Sequence, residues 1–138
     1  ELGNRIFLKQ NYMKLILIVL FSSGIGGVLR FGIQSWMVKP HNSVFPMSTF
    51  IVNVAGCLLI GIFFALSQKA NLLSPEWRLA LLTGFCGGFT TFSTFACENV
   101  AILRSGDYGI FFMYIVASVV LGIAAVFAGS MLVMVLSK

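Results

Sequence analysis

The sequence predicts an all-α integral membrane protein with four transmembrane helices, because it combines very few charges with four long apolar stretches. Only 9% of the 138 residues are charged and 59% are hydrophobic, with a mean hydropathy of +1.00. A typical soluble protein carries about 25% charged residues, so this chain cannot give a soluble domain its polar surface. Disorder is also excluded, because it requires low hydrophobicity and high net charge.

The four apolar stretches are predicted to span the membrane as helices. Each exceeds the roughly 20 residues that a helix needs to cross about 30 Å of hydrocarbon. A lone strand would leave its backbone unpaired in lipid, which excludes it. Residues 1–12 are polar and are interpreted as an N-terminal extension, or as residues foreign to the protein, ahead of a single domain at 13–138. The predicted spans cover residues 15–38, 46–67, 78–103 and 109–136.

Charge and cysteine patterns exclude several classes of protein. The net charge of +5 is spread thinly, without the basic cluster that binding to nucleic acid requires. Cys57, Cys86 and Cys97 lie in apolar runs without metal-ligand spacing, and are interpreted as small buried hydrophobic residues. The sequence has no phosphate-binding loop, catalytic dyad or cofactor motif, so neither an enzyme nor an ATP-driven pump is expected.

The basic residues give only a weak preference for one orientation in the membrane. Four spans place both termini on one side, together with Lys14, Lys69, Arg78 and Lys138, whereas Lys39 and Arg104 lie on the other side. Basic residues normally concentrate on the cytoplasmic side. The small difference is therefore compatible with insertion in both directions.

The third span is predicted to be a helix that is broken near the middle of the membrane. Glycine costs about 1 kcal/mol within a helix, and hydroxyl side chains compete for the nearby backbone. A break frees backbone groups that protein, ions or water must satisfy, and such breaks often form ion sites. The alternative is a glycine-rich packing face with hydroxyls bonded to their own helix. The residues concerned are Gly84, Gly87, Gly88, Thr90, Thr91, Ser93 and Thr94.

Polar residues in the other spans are few, and each is expected to face a partner or a water path. The second span contains Asn53, and the fourth places Tyr114 and Ser118 four residues apart on one helix face. Asn53 could instead serve only as a hydrogen bond between helices. In the first span, Arg30 either pairs with Glu98 or reaches an interface, or it lines an anion entrance.

Small and aromatic residues give two further expectations. Gly24, Gly27 and Gly32 of the first span are predicted to let helices approach closely. Phe92 and Phe95 lie three residues apart and share a helix face. The electropositive edges of their rings could contact an anion, whereas the alternative is that they are core or lipid-facing residues.

The third span resembles the signature of a known family. Residues 84–95 read GFCGGFTTFSTF, which is similar to the signature of the Fluc-type (CrcB) fluoride channels. Residues 26–30 (GGVLR) and 53–56 (NVAG) resemble two weaker family landmarks, and the resemblance covers residues 13–138. It implies passive, fluoride-selective export across a bacterial inner membrane. It also implies a homodimer of oppositely oriented subunits in the lipid bilayer, with two pores along the interface.

The resemblance also implies roles for individual residues. A structural Na⁺ on the dimer axis would be held by the backbone carbonyls of Gly87 and Thr90. For Arg30, which the resemblance gives no role, the pore entrance is the expected one of the alternatives above. Residues expected to line the pore and bind fluoride are Phe92, Phe95, Asn53, Ser93, Thr94, Tyr114 and Ser118.

Two other kinds of protein compete with this interpretation. A small proton-coupled multidrug-type exporter would need an acidic residue in the first span, where the sequence has Arg30 instead. A membrane assembly subunit without transport activity would leave the polar residues of the third and fourth spans without a purpose.

Overall fold

The computed structural model describes residues 2–37, 44–69 and 72–136, with side chains from residue 11 onward. Within these ranges every regular element is helical. The third span is divided among four elements, one of which is a π-helix with wider turns. The elements are α1 (Leu2–Met37), α2 (Met47–Gln68), α3 (Pro75–Arg78), π1 (Leu79–Cys86), α4 (Gly87–Phe89), α5 (Phe92–Ser105) and α6 (Tyr108–Leu136).

The four membrane spans are confirmed. Helical stretches that are long and apolar enough to cross a membrane occupy Asn11–Met37, Met47–Gln68, Pro75–Ser105 and Tyr108–Leu136. Helix α1 begins at Leu2, so the helix continues upstream of the first span. The interpretation of residues 1–12 as an extension stays a prediction. Val38, the last residue of the first predicted span, lies outside the described residues.

The predicted break in the third span is present, but the glycines do not cause it. Gly84, Gly87 and Gly88 are all helical. The chain becomes extended only at Thr90 (φ −86°, ψ 160°) and Thr91 (φ −148°, ψ 110°), and α5 then begins at Phe92. The threonines break the helix because their hydroxyls offer local alternatives to helical hydrogen bonds.

The glycines of the third span instead allow close packing against α1. A Cβ atom on Gly88 would collide with the backbone of Ser23, and one on Gly84 would collide with the hydroxyl of Ser22. On α1 the matching small residue is Gly26, which faces the backbone of Phe85 and Phe89. Helix α1 and the first half of the third span therefore meet through small residues.

For packing within the chain, the predicted close approach is wrong at Gly24 and Gly32, whereas Gly27 does face the third span, at a distance where a side chain would make ordinary van der Waals contact. No described atom lies within 4 Å of a Cβ built on Gly24 or Gly32, and the neighbour of Gly27 is the Gly88 carbonyl oxygen at 3.9 Å. The reason is that α1 turns the face carrying Ser22, Ser23 and Gly26 towards the third span.

Helices α2 and α6 form the other close pair. Gly61 of α2 faces the carbonyl of Val126, and Gly129 of α6 faces the backbone of Leu58 and Ile62. The described cysteines are free: Cys86 is buried and Cys57 half-buried, whereas Cys97 is exposed, contrary to its prediction. Among the described residues, the largest fully buried side chains are those of Tyr114, Val52, Thr49 and Cys86.

Candidate functional site

The helix break is held by the side chain of Asn53. Its Nδ2 donates to the Thr91 carbonyl oxygen at 3.1 Å, and its Oδ1 accepts from the Thr91 N–H at 2.8 Å. The N–H and the carbonyl of the buried residue Thr91 are thus bonded to a side chain of α2 rather than to their own helix. An unpaired polar group is costly in such a place, so Asn53 stabilises the extended conformation.

Hydroxyl groups gather at the start of α5. The Thr91 hydroxyl accepts from the Thr94 N–H at 3.3 Å and donates to the Thr94 hydroxyl at 2.9 Å. The hydroxyl of Ser93 lies 3.4 Å from that of Thr91. These neutral hydroxyls cap the N-terminus of α5, a helix of 14 residues. The helix dipole makes this end of α5 favourable for negative charge.

The break also removes the helical partners of several carbonyls. The Thr91 N–H, which would bond to Gly87 in a continuous helix, donates to Asn53 instead. The Thr94 N–H, which would bond to Thr90, donates to the Thr91 hydroxyl. Arg30 compensates at a third position, since its Nε donates to the Gly88 carbonyl oxygen at 3.2 Å. The carbonyls of Gly87 and Thr90, which are the predicted sodium ligands, therefore lack the N–H donors that a continuous helix would give them.

A cavity of about 350 Å³ lies beside the break and brings together much of the predicted site. The rings of Phe92 and Phe95 are 5.8 Å apart, and Phe92 is 79% exposed at the surface of the chain. The hydroxyl of Ser118 is buried and has no hydrogen-bond partner among the described residues. The predicted residues that line the cavity are Asn53, Gly87, Thr90, Phe92, Phe95 and Ser118.

The other predicted residues lie outside the cavity lining. Ser93 and Thr94 belong to the hydroxyl cluster. Arg30 contacts the carbonyl of Gly88 in α4, just before the break. Tyr114 is fully buried, and its ring packs edge-on against Phe95 with centroids 4.9 Å apart. Its hydroxyl donates to Glu98 at 2.8 Å, so Tyr114 is linked to the site through two neighbours.

Glu98 lies outside the cavity lining and is connected to the site through Tyr114, and the sequence pattern predicts no specific function for it. Its Oε1 accepts from the Thr49 hydroxyl at 2.7 Å, and its Oε2 accepts from Tyr114. The predicted pairing with Arg30 is not formed, because Arg30 bonds to the Gly88 carbonyl. The signal in the sequence was an acidic residue inside a span, which normally marks function. Its hydroxyl partners could not be identified from spacing.

The described residues contain no group of three or more His, Cys, Asp or Glu that could hold a metal ion. The fold and the site define a small multi-pass membrane protein whose polar and aromatic site is built around a broken transmembrane helix. The chain belongs to the CrcB family: the family model described as "CrcB-like protein, Camphor Resistance (CrcB)" matches residues 17–130.

The alignments with curated relatives cover most of this chain and nearly all of each relative's length. A protein of Bacteroides fragilis is 46% identical over 123 residues, which is 87% of this chain and 96% of the relative. One of Flavobacterium psychrophilum is 44% identical over 85% of this chain and 94% of its own. One of Azobacteroides pseudotrichonymphae is 42% identical over 87% and 96%. Each bears the name "Fluoride-specific ion channel FluC", which describes a channel rather than an enzyme.

Proposed function

We propose that this protein is a fluoride-selective channel that lets fluoride leave the cell passively and so lowers its cytoplasmic concentration. The cavity at the helix break carries the proposal, because it joins Phe92, Phe95, Asn53 and the unpaired hydroxyl of Ser118. The relatives named as fluoride-specific channels support it at 42–46% identity over most of both chains.

The chemistry of the cavity suits a small, strongly hydrated anion. Fluoride gives up water only where many modest donors replace it, and it leaves again only if no single site binds tightly. Ser118 supplies a hydroxyl that has no hydrogen-bond partner within the described part of the chain, Asn53 has a second amide hydrogen, and the ring edges of Phe92 and Phe95 are electropositive. The N-terminus of α5 adds the positive end of a helix dipole beside them.

The pore itself is proposed to form between two oppositely oriented copies of the chain. Phe92 is 79% exposed although it borders the cavity, so a second subunit would close this side. A four-helix bundle fills its own core with side chains, which leaves little room for a pore within one chain. The weak asymmetry of the basic residues is compatible with both orientations.

A sodium ion on the two-fold axis is proposed to hold the two helix breaks together. The residues present fit such an ion, because the carbonyls of Gly87 and Thr90 have lost their helical donors. Four carbonyls from two subunits would offer neutral oxygen ligands, which suit a monovalent cation better than a divalent one. The ion would thus supply a structural link and take no part in permeation.

The remaining assignments concern the pore entrance and the membrane. Arg30 contacts the Gly88 carbonyl at the end of α4 through Nε, and its guanidinium has further N–H donors with which it could attract an anion.

The four spans make the protein multi-pass, and we place it in the inner, or plasma, membrane of a bacterium. Export of fluoride from the cytoplasm requires this location.

Efflux from liposomes tests the proposed function directly. Vesicles loaded with potassium fluoride and carrying the protein should release fluoride when valinomycin lets potassium balance the charge. Vesicles loaded with chloride should retain it, and protein-free vesicles are the control for leakage. Equal release of both ions, or release of neither, would contradict a fluoride-selective channel. Fluoride release that required a pH gradient would instead indicate proton coupling.

A further inference from the structure

One hydrogen-bonded chain of side chains connects all four spans. Nε2 of Gln34 in α1 donates to the hydroxyl oxygen of Thr49 in α2 at 3.2 Å. Thr49 donates to Oε1 of Glu98 in α5 at 2.7 Å, and Tyr114 in α6 donates to Oε2 at 2.8 Å. Every donor in the chain therefore points towards the carboxylate.

Thr49 can serve Glu98 only if its single hydroxyl proton is directed there. The residue is 1% exposed, so water cannot replace a missing partner. Threonine hydroxyls in helices commonly bond to their own backbone instead. The N–H of Gln34 approaches the Thr49 oxygen as a donor, so the hydroxyl proton has to point elsewhere. Successive hydrogen bonds of this kind also strengthen one another.

We propose that Gln34 is a positioning residue, which acts through Thr49 to hold the Glu98 carboxylate between two hydroxyls. This inference rests on the proposed channel function. Glu98 lies one helical turn from Phe95, whose ring borders the cavity and packs on Tyr114. A carboxylate released from Thr49 could turn towards that cavity, and its negative charge would repel an anion.

The first test is the substitution Gln34→Met, which keeps the length of the side chain and removes its N–H donors. Fluoride efflux should fall about fivefold, the factor that corresponds to losing one ordinary hydrogen bond. The oligomeric state and the melting temperature should stay close to those of the native protein. The matched control is Gln68→Met at the exposed end of α2, which should leave efflux unchanged. If Gln34→Met does not assemble, Gln34→Leu takes its place.

A double-mutant cycle separates positioning from simple packing. Thr49→Val removes the hydroxyl, so adding Gln34→Met should then have no further effect on efflux. Thr49→Ser keeps the hydroxyl, and in that background Gln34→Met should again reduce efflux about fivefold. An effect of Gln34→Met that is equally large with Thr49→Val would overturn the proposal.

An infrared measurement tests the same inference without transport. The carboxylate stretching band of Glu98 is assigned by its loss in Glu98→Gln. Gln34→Met should shift that band, because the Thr49–Glu98 hydrogen bond changes, whereas Gln68→Met should not. An unmoved band would refute the positioning role even if the protein conducts fluoride. A shifted band in a protein that releases no fluoride would support positioning and contradict the channel.

Discussion

The two halves of the third span differ in what they present to the rest of the molecule. The first half, π1 and α4, meets α1 through glycines so closely that Gly84 and Gly88 have no room for a side chain. The second half, α5, presents the rings of Phe92 and Phe95 and the carboxylate of Glu98. The first half thus works through its backbone and attaches the third span to α1, whereas the second half presents the polar and aromatic side chains of the site.

The largest effect is expected from adding bulk to the first half. In Gly88→Val the new side chain would overlap the Ser23 backbone, which cannot move without displacing α1. Overpacking costs about 1–3 kcal/mol where side chains can yield, and more where they cannot. Because the obstacle at Gly88 is backbone, the two helices would have to separate, so we expect the loss of folded protein, a larger effect than that of any side-chain substitution at the break. The yield and melting temperature of detergent-purified protein measure this.

The control for Gly88→Val lies on the opposing helix. No described atom is within 4 Å of a Cβ on Gly24, so Gly24→Ala should keep the native yield and melting temperature. If Gly88→Val were as stable as Gly24→Ala, the close contact between α1 and α4 would be contradicted.

The next largest effect is expected at the junction between the halves. Asn53→Leu would leave the Thr91 N–H and carbonyl unpaired in a buried place, at about 1–3 kcal/mol for each group. We therefore expect the free energy of unfolding to fall by about 2–6 kcal/mol. Asn53→Asp keeps the acceptor for the N–H but turns a carboxylate oxygen towards the Thr91 carbonyl oxygen, so it should also be less stable than the native protein. Chemical denaturation in detergent measures the order, and equal stability of all three would refute the clamp.

The break shows how far the sequence could predict this region. A cluster of glycines and hydroxyls indicated an interrupted helix, and the interruption falls at the hydroxyl residues rather than at the glycines. It could not say that Thr90 and Thr91 become extended while Gly87 and Gly88 stay helical. That choice depends on Asn53, which reaches Thr91 from a helix 38 residues earlier in the chain.

The sequence predicted that small residues of α1 pack closely against another helix, but not which of them do so. Several small residues follow one another in this helix, and composition alone does not say which of them face the third span. The four spans were predictable because hydropathy and length decide them. The structure places Asn53, Phe92, Phe95 and Ser118 around one cavity, and their contact with fluoride stays a prediction. The hydroxyl partners of Glu98 could be identified only from the fold.

A smaller effect on stability, with a large one on transport, is expected in the second half. Phe92→Ile and Phe95→Ile should each cost less than about 1.5 kcal/mol of stability. Phe95→Ile should cost more of the two, because its ring packs on Tyr114 whereas Phe92 is exposed. If ring edges contact fluoride, efflux should fall by about tenfold, which corresponds to about 1.4 kcal/mol. Unchanged efflux in both variants would assign the rings to packing or lipid contact.

The smallest effect is expected at Thr90, where the two halves meet. Its hydroxyl bonds to the Cys86 carbonyl, which the Thr90 N–H also satisfies, so Thr90→Ala should cost less than about 1 kcal/mol. The main-chain carbonyl proposed to hold sodium remains in this variant, and efflux should therefore be unchanged.

Gly56→Ala alone should destabilise the protein, because the new Cβ would collide with the Thr90 methyl group. Combining it with Thr90→Ala removes that obstacle and should restore most of the melting temperature. A double variant less stable than Gly56→Ala would contradict this contact between α2 and the break.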